Sequence, residues 1–344
     1  MQDAPAISVL PEQLWTWRGQ RIAYTALAAE SASTTPCPPN GLPTRRAVLC
    51  IHGFGASKGH WRHNLQPLAT AAEVYAIDLL GFGGSSKPLS QLSGEPPLPG
   101  AVRYGFDLWA DQIVAFCQEV IRLGRTDEPP LQLQLIGNSI GGVVALNAAR
   151  LLQDQGTPPH QVILIDCAER ELDLKRLSEQ PWPAQLGRPL LMALVRQRWL
   201  VGSLFRWFAR PALVRQVLLQ AYPTGRNVDD ALVTLLLQPT SDPGALESFR
   251  GFVNLFDDWL APQLLEILSA VKPSVPVRLL WGEADPWEPL GEAKRWQRTF
   301  ASVQELRVLP GLGHCPHDEG PELVNPILLD WLQWGWQQPE AATN

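Results

Sequence analysis

The stretch Leu135-Ile-Gly-Asn-Ser139-Ile-Gly-Gly142 decides the reading of this chain. It follows the short apolar run Leu131–Ile136 and precedes a helical pattern over Val143–Leu152, so a strand, a tight turn and a helix meet at one serine. In so tight a turn Gly137 and Gly141 avoid clashes that side chains would create, and the hydroxyl of Ser139 is held up toward solvent. A glycine-rich turn with an idle serine has the same composition. The strand before it and the helix after it favour a nucleophile.

A serine is a poor nucleophile at neutral pH unless a base takes its proton, and that base must be oriented by a third group. Both have candidates downstream. The apolar run Val277–Trp281 leads into Gly282-Glu-Ala-Asp285-Pro286-Trp287, which puts Asp285 on the loop at a strand's carboxyl end. The run Leu306–Leu309 leads into Pro310-Gly-Leu-Gly-His314, which puts His314 on the next such loop. Asp285 has a competing reading as a turn residue before Pro286, and Glu283 or Asp166, which closes its own strand, is an alternative acid. His317, three residues beyond His314, has Asp318 and Glu319 beside it and reads as a hydrogen-bonded structural histidine. Two backbone amides are also needed for a developing oxyanion. Ile51-His-Gly-Phe-Gly55 follows a buried strand, so the amides of Phe54 and Ile140 are assigned that role, with His52 bracing the loop. Chemistry of this kind requires no metal and no organic cofactor.

Working outward, the runs Ala47–Ile51, Val74–Ile77, Leu131–Ile136, Val162–Ile165, Val277–Trp281 and Leu306–Leu309 are continuous apolar segments bounded by Gly, Asp or Pro. Strands buried on both faces have this texture, so a mostly parallel central sheet flanked by helices is expected, an α/β fold. Alternation about Gly19-Gln20 predicts an antiparallel hairpin over 14–29, and Ser31–Arg46 reads as a long loop. Apolar residues at helical spacing predict a core-facing helix between Phe106 and Arg122. Strand-helix alternation stops at Asp166 and resumes near Val277, an interval of about 110 residues that is too long for a loop in a compact domain. Residues 168–272 are therefore expected to form a helical cap over a core made of 1–167 and 273–344.

Composition narrows the classes. The chain has 344 residues, 45% hydrophobic and 18% charged, which excludes a disordered chain and a polytopic membrane protein. The start Met-Gln-Asp-Ala-Pro has no basic region followed by an apolar stretch, so a cytoplasmic location is expected. Five cysteines at 37, 50, 117, 167 and 315 include no C-x-x-C pair and support neither a disulfide framework nor a zinc site. A net charge of −6 argues against a nucleic-acid partner.

With Ser139, Asp285 and His314 in that order, the chain from about residue 13 to 336 resembles the α/β-hydrolase fold. The stretch Asp78-Leu-Leu-Gly-Phe-Gly-Gly-Ser-Ser-Lys-Pro88 is similar to the D-x-x-G-x-G-x-S turn common in that family. Related haloalkane dehalogenases and epoxide hydrolases carry Asp at the elbow, so Ser139 favours hydrolysis of an ester, thioester or carbon–carbon bond. Two stretches, 137–142 and Gly313-His-Cys-Pro-His-Asp-Glu-Gly-Pro-Glu-Leu-Val-Asn325, resemble pheophytinase and chlorophyll dephytylase. That resemblance implies a serine hydrolase acting on a hydrophobic small-molecule ester, the phytyl ester of chlorophyll or pheophytin, through an acyl-enzyme, at a thylakoid surface. The alternatives are a non-catalytic binding or pigment-synthesis accessory protein on the same fold, and a carbon–carbon bond hydrolase.

Between Gln180 and Val228 there are seven arginines (188, 196, 198, 206, 210, 215 and 226) and no Asp or Glu, interleaved with Trp182, Trp199, Phe205, Trp207 and Phe208. Two readings fit. One is a cap helix with a solvated basic face and an inward apolar face; the other is peripheral contact with an anionic membrane.

Overall fold

The computed structural model describes residues 11–30 and 44–337. Eight strands form one sheet: β1 (Gln13–Trp17), β2 (Gln20–Leu27), β3 (Arg45–Ile51), β4 (Glu73–Ile77), β5 (Leu131–Asn138), β6 (Gln161–Ile165), β7 (Val277–Gly282) and β8 (Val303–Leu309). Their spatial order is β1-β2-β4-β3-β5-β6-β7-β8. The pairs β1 with β2 and β2 with β4 are antiparallel; every pairing from β4 to β8 is parallel. The hairpin and all six apolar runs are thus strands. Of the stretch Ser31–Arg46 expected to be a loop, 31–43 lies outside the described residues, and Arg45 and Arg46 already pair with β5.

Alternation along each strand feeds two cores. In β3, Ala47, Leu49 and Ile51 join one apolar cluster while Val48 and Cys50 join the other, as a two-residue period requires. The first cluster is closed by α2 (Phe106–Glu119) and α3 (Ile140–Asp154), following α1 (Leu65–Ala69), which lies on the opposite side of the sheet. Trp109, Ile113 and Phe116 of α2 are fully buried there, so the predicted stripe faces the sheet.

Between β6 and β7 the chain is helical: a 3₁₀ turn Leu174–Glu179, then α4 (Trp182–Val195), α5 (Arg198–Phe208), α6 (Pro211–Ala221), α7 (Asp230–Leu237), α8 (Ala245–Val253) and α9 (Ala261–Ala270). The last of these packs with the sheet layer, because Ala261, Leu264, Leu265 and Leu268 belong to the first core cluster. A small cluster of Leu218, Ala221, Tyr222, Leu232 and Val233 gives the earlier helices an apolar centre of their own. It rests on Cys315, one residue past His314. After β7 come α10 (Leu290–Thr299), α11 (Pro316–Glu319) and α12 (Pro321–Gln337), whose Val324, Leu328 and Trp331 close the second core.

Candidate active site

Parallel strands end at one edge of the sheet, and the loops leaving β3, β5, β6, β7 and β8 carry Phe54, Ser139, Asp166, Asp285 and His314 in turn. Ser139 sits between β5 and α3 with φ +55° and ψ −125°, in a region that costs a non-glycine residue about 1–3 kcal/mol. The surroundings hold it there. Its N–H donates to the Ile165 carbonyl at 3.0 Å, and its own carbonyl accepts from Gly142 at 3.0 Å and Ala168 at 3.2 Å. The glycines are steric necessities: a Cβ on Gly137 would lie 2.2 Å from the Gly141 carbonyl oxygen, and one on Gly141 would lie 2.4 Å from that of Ile51.

His314 and Asp285 meet at the ends of β8 and β7. His314 Nδ1 lies 2.8 Å from Asp285 Oδ2, with both side chains almost fully buried. The other carboxylate oxygen, Oδ1, accepts the Trp287 N–H at 2.8 Å and the Glu288 N–H at 3.2 Å, so the carboxylate is fixed from two sides. Burial acts to raise its pKa, but the hydrogen bond and charge of His314, with the Trp287 N–H, hold it below the ordinary carboxylate value. The Trp287 ring stands edge-on to the imidazole, centroids 4.8 Å apart.

The two alternative acids are placed differently. Glu283 is exposed. Asp166 is completely buried behind Asp285, and its Oδ1 accepts the Gly282 N–H at 2.9 Å. Burial, then the charge of Asp285, pushes its pKa well above the carboxylate range. Nearby Glu288 is likewise pushed up, to about 9, by burial.

On the opposite side of Ser139, Gly53 lets the loop after β3 approach closely: a Cβ there would lie 3.0 Å from the serine Cβ. Phe54 follows, its ring stacked on Phe252 at 3.8 Å between centroids. Ile140 opens α3, where the first amides of a helix have no intrahelical acceptor. His52 braces this loop. Its Nδ1 lies 2.7 Å from the Gly53 carbonyl and its Nε2 accepts the Leu79 N–H at 3.1 Å, which fixes a neutral tautomer with the proton on Nδ1. Burial lowers its pKa and keeps it uncharged. The adjoining Asp78 turn is built around a buried carboxylate that binds Lys58 Nζ at 2.8 Å and the Gly84 N–H at 2.8 Å.

Three features escaped the sequence. Asn138 Nδ2 donates to the carbonyls of His314 at 3.1 Å and Ile165 at 3.2 Å, tying the histidine loop to the elbow. A polar residue at the buried end of an apolar strand was the available signal. The His314 N–H donates to the Ala221 carbonyl at 2.9 Å, so the helical insertion touches the histidine loop directly. His317 is not held by its neighbouring carboxylates as expected. Neither ring nitrogen has a hydrogen-bond partner among the described residues, and the ring packs between His60 and Trp61 at 4.7 and 4.5 Å. Asp318 instead binds Arg62 Nε at 2.8 Å and accepts from the Tyr222 hydroxyl at 3.0 Å, while Glu319 accepts from the Gly313 N–H at 2.7 Å.

A parallel sheet of this order with an elbow serine, an acid after β7 and a histidine after β8 defines a hydrolase architecture, and the chain belongs to the α/β hydrolase family, whose model matches residues 48–327. Among relatives, it is 28% identical to the chloroplastic pheophytinase of Arabidopsis thaliana over 83% of this chain and 61% of that protein, so it spans under two thirds of that relative's length. It is 24% identical to a (lyso)-N-acylphosphatidylethanolamine lipase of Bos taurus over 89% of this chain and 84% of the lipase. The crystal structure of a probable hydrolytic enzyme from Pseudomonas aeruginosa superposes with a TM-score of 0.68 at 22% identity, covering 96% of this chain and 95% of that one. That likeness is one of fold.

Proposed function

We propose that this protein is a serine hydrolase that cleaves a hydrophobic carboxylic ester through an acyl-enzyme. The observation that carries the reading is the 2.8 Å contact of His314 Nδ1 with the buried carboxylate of Asp285, at the sheet edge where Ser139 is held in a strained turn. An imidazole whose Nδ1–H is committed to a carboxylate has its Nε2 lone pair available as a base. Ser139 Oγ attacks the ester carbonyl while His314 takes its proton; Asp285 stabilises the resulting imidazolium. The amides of Phe54 and Ile140 bind the tetrahedral oxyanion, each donor being worth ~10²–10³ in rate. His314 protonates the departing alcohol, then activates the water that releases the acid and restores the serine.

Asp166 acts as a positioning residue. Its carboxyl, raised in pKa by burial and by the charge of Asp285, accepts the Gly282 N–H at the end of β7 and so fixes the strand end from which the Asp285 loop departs. The substrate proposed is an ester with a long apolar alcohol, the phytyl ester of a chlorophyll-type pigment. Similarity to pheophytinase supports it, as do the aromatic rings of Phe54, Phe82, Phe205 and Phe249 lining one cleft beside the loop after β3.

A hydrolysis screen tests both parts. The protein is expected to turn over short aryl esters and, in detergent, to release phytol from chlorophyll or pheophytin. Ser139→Ala should lower kcat by on the order of 10⁴–10⁶ with the fold retained. Turnover of aryl esters without phytol release would remove the pigment assignment alone; near-normal turnover by Ser139→Ala would remove the nucleophile.

A further inference from the structure

We infer that the outer face of α4 and α5 is an interfacial surface that docks on an anionic lipid bilayer. In α4, Trp182, Leu186, Leu190 and Leu194 recur every fourth residue and so lie along one stripe. That stripe faces outward: Trp182 is 72% exposed, Leu186 73% and Leu190 65%. On α5, Trp199 is 71% exposed and Trp207 47%. Side chains of this size belong in a core or against a partner when a helix is amphipathic. Here the buried positions of the two helices are instead Arg188 in α4 and Val201 and Gly202 in α5, so their large apolar side chains are not the buried ones.

Charge identifies the occupant. The segment 180–228 has seven arginines and no carboxylate. Arg198, Arg215 and Arg226 are ion-paired with Glu247, Asp230 and Glu322. Arg206 and Arg210 are exposed, and no ion pair involves either among the described residues. Their position at the end of α5, beside Trp207 and Phe208, gives the mixture of cations, indoles and aliphatic side chains that settles at the headgroup boundary. A second copy of the chain fits less well. Two-fold pairing of this face would bring together two copies of a segment with seven arginines and no carboxylate, so Arg206 and Arg210 would gain no acid partner from it. No helix among the described residues is long and apolar enough to cross a membrane, so contact of this kind is peripheral.

The surface also connects inward. Trp207 meets Phe208 at 5.0 Å between centroids, Phe208 meets Phe249 at 6.3 Å, and Phe249 meets Phe54 at 6.2 Å. A row of rings thus leads from the exposed face to the loop beside Ser139, a path for an apolar chain leaving a bilayer. This last step rests on the hydrolase reading; the docking itself does not.

Co-sedimentation with phosphatidylcholine vesicles, with and without phosphatidylglycerol, tests the docking on the full chain. Binding is expected to the anionic vesicles, to weaken as salt is raised, and to shift tryptophan emission to the blue. The double variant Leu186→Glu/Leu190→Glu should lower partitioning at least ten-fold, and Arg206→Glu/Arg210→Glu should lower it and flatten the salt dependence. Because these side chains are exposed, circular dichroism and hydrolysis of a water-soluble aryl ester should match the parent in both. Failure of the parent to bind anionic vesicles at low salt, or binding untouched by the Leu186 and Leu190 changes, overturns the proposal. A dimer that those changes dissociate would assign the face to a second copy instead and overturns it too. Vesicle binding by a protein inactive on every ester would leave the docking standing and remove the hydrolase reading.

Discussion

Asp285 and Asp166 are two buried carboxyl groups whose surroundings push their pKa values in opposite directions. The first has its pKa lowered by His314 and the Trp287 N–H; the second has its pKa raised by burial and by the charge of the first. Asp285→Asn should lower kcat on the order of 10⁴-fold, since an amide N–H facing Nδ1 selects the wrong imidazole tautomer. Asp166→Asn should leave kcat near the parent value, because its oxygen still accepts from Gly282 and no charge is added beside Asp285. Asp166→Ala should lower kcat with little change in KM, since it leaves the Gly282 N–H at the end of β7 without its acceptor. Steady-state kinetics on an aryl ester separates these cases. Glu288 gives a stability signature. With a folded pKa of about 9 against 4.5, folded and unfolded states bind the proton alike at low pH. As pH rises from the unfolded value toward the folded one, only the unfolded chain ionises, so stability falls over that window. Glu288→Gln should therefore raise Tm at about pH 8 and leave it unchanged at about pH 4. The elbow itself was legible because its glycines are sterically required. The choice among Asp285, Glu283 and Asp166 was not, because it turns on which carboxylate faces an imidazole 29 residues further along the chain.

At the scale of elements, the strands were legible because both their faces are buried, so nearly every position is apolar. Core helices were legible for the opposite reason, since one face is buried and the period of 3.6 shows. The insertion was harder. Its helices α4 and α5 put large apolar residues outward, so apolar spacing there does not report a core. Its final helix α9 packs with the sheet, so where the insertion rejoins the core cannot be read from composition. The elbow makes a prediction at this scale. Gly141→Ala should destabilise the β5–α3 junction by several times the ~1 kcal/mol usual for a single substitution and abolish turnover, since its methyl would collide with the carbonyls of Ile51 and His52. Thermal unfolding checks it; a Tm within a degree of the parent would contradict the packing described.

Taken as a whole, the molecule is a sheet whose strand ends gather a serine, an imidazole and a carboxylate, with a helical insertion bonded to the same loops. Ala221 accepts from the His314 N–H, and Tyr222 links His60 at 2.7 Å to Asp318. Position of the insertion and position of the imidazole are thereby coupled, a relation between segments far apart in sequence that no local pattern records. Everything proposed for the chemistry depends on Ser139 being activated by His314. Stoichiometry and rate of labelling by a fluorophosphonate probe test this most directly. The account predicts one equivalent of label on Ser139, none in Ser139→Ala, and a loss of rate on the order of 10³-fold or more in His314→Ala with its fold intact. Folded protein that takes no label, or His314→Ala that labels at the parent rate, would contradict it.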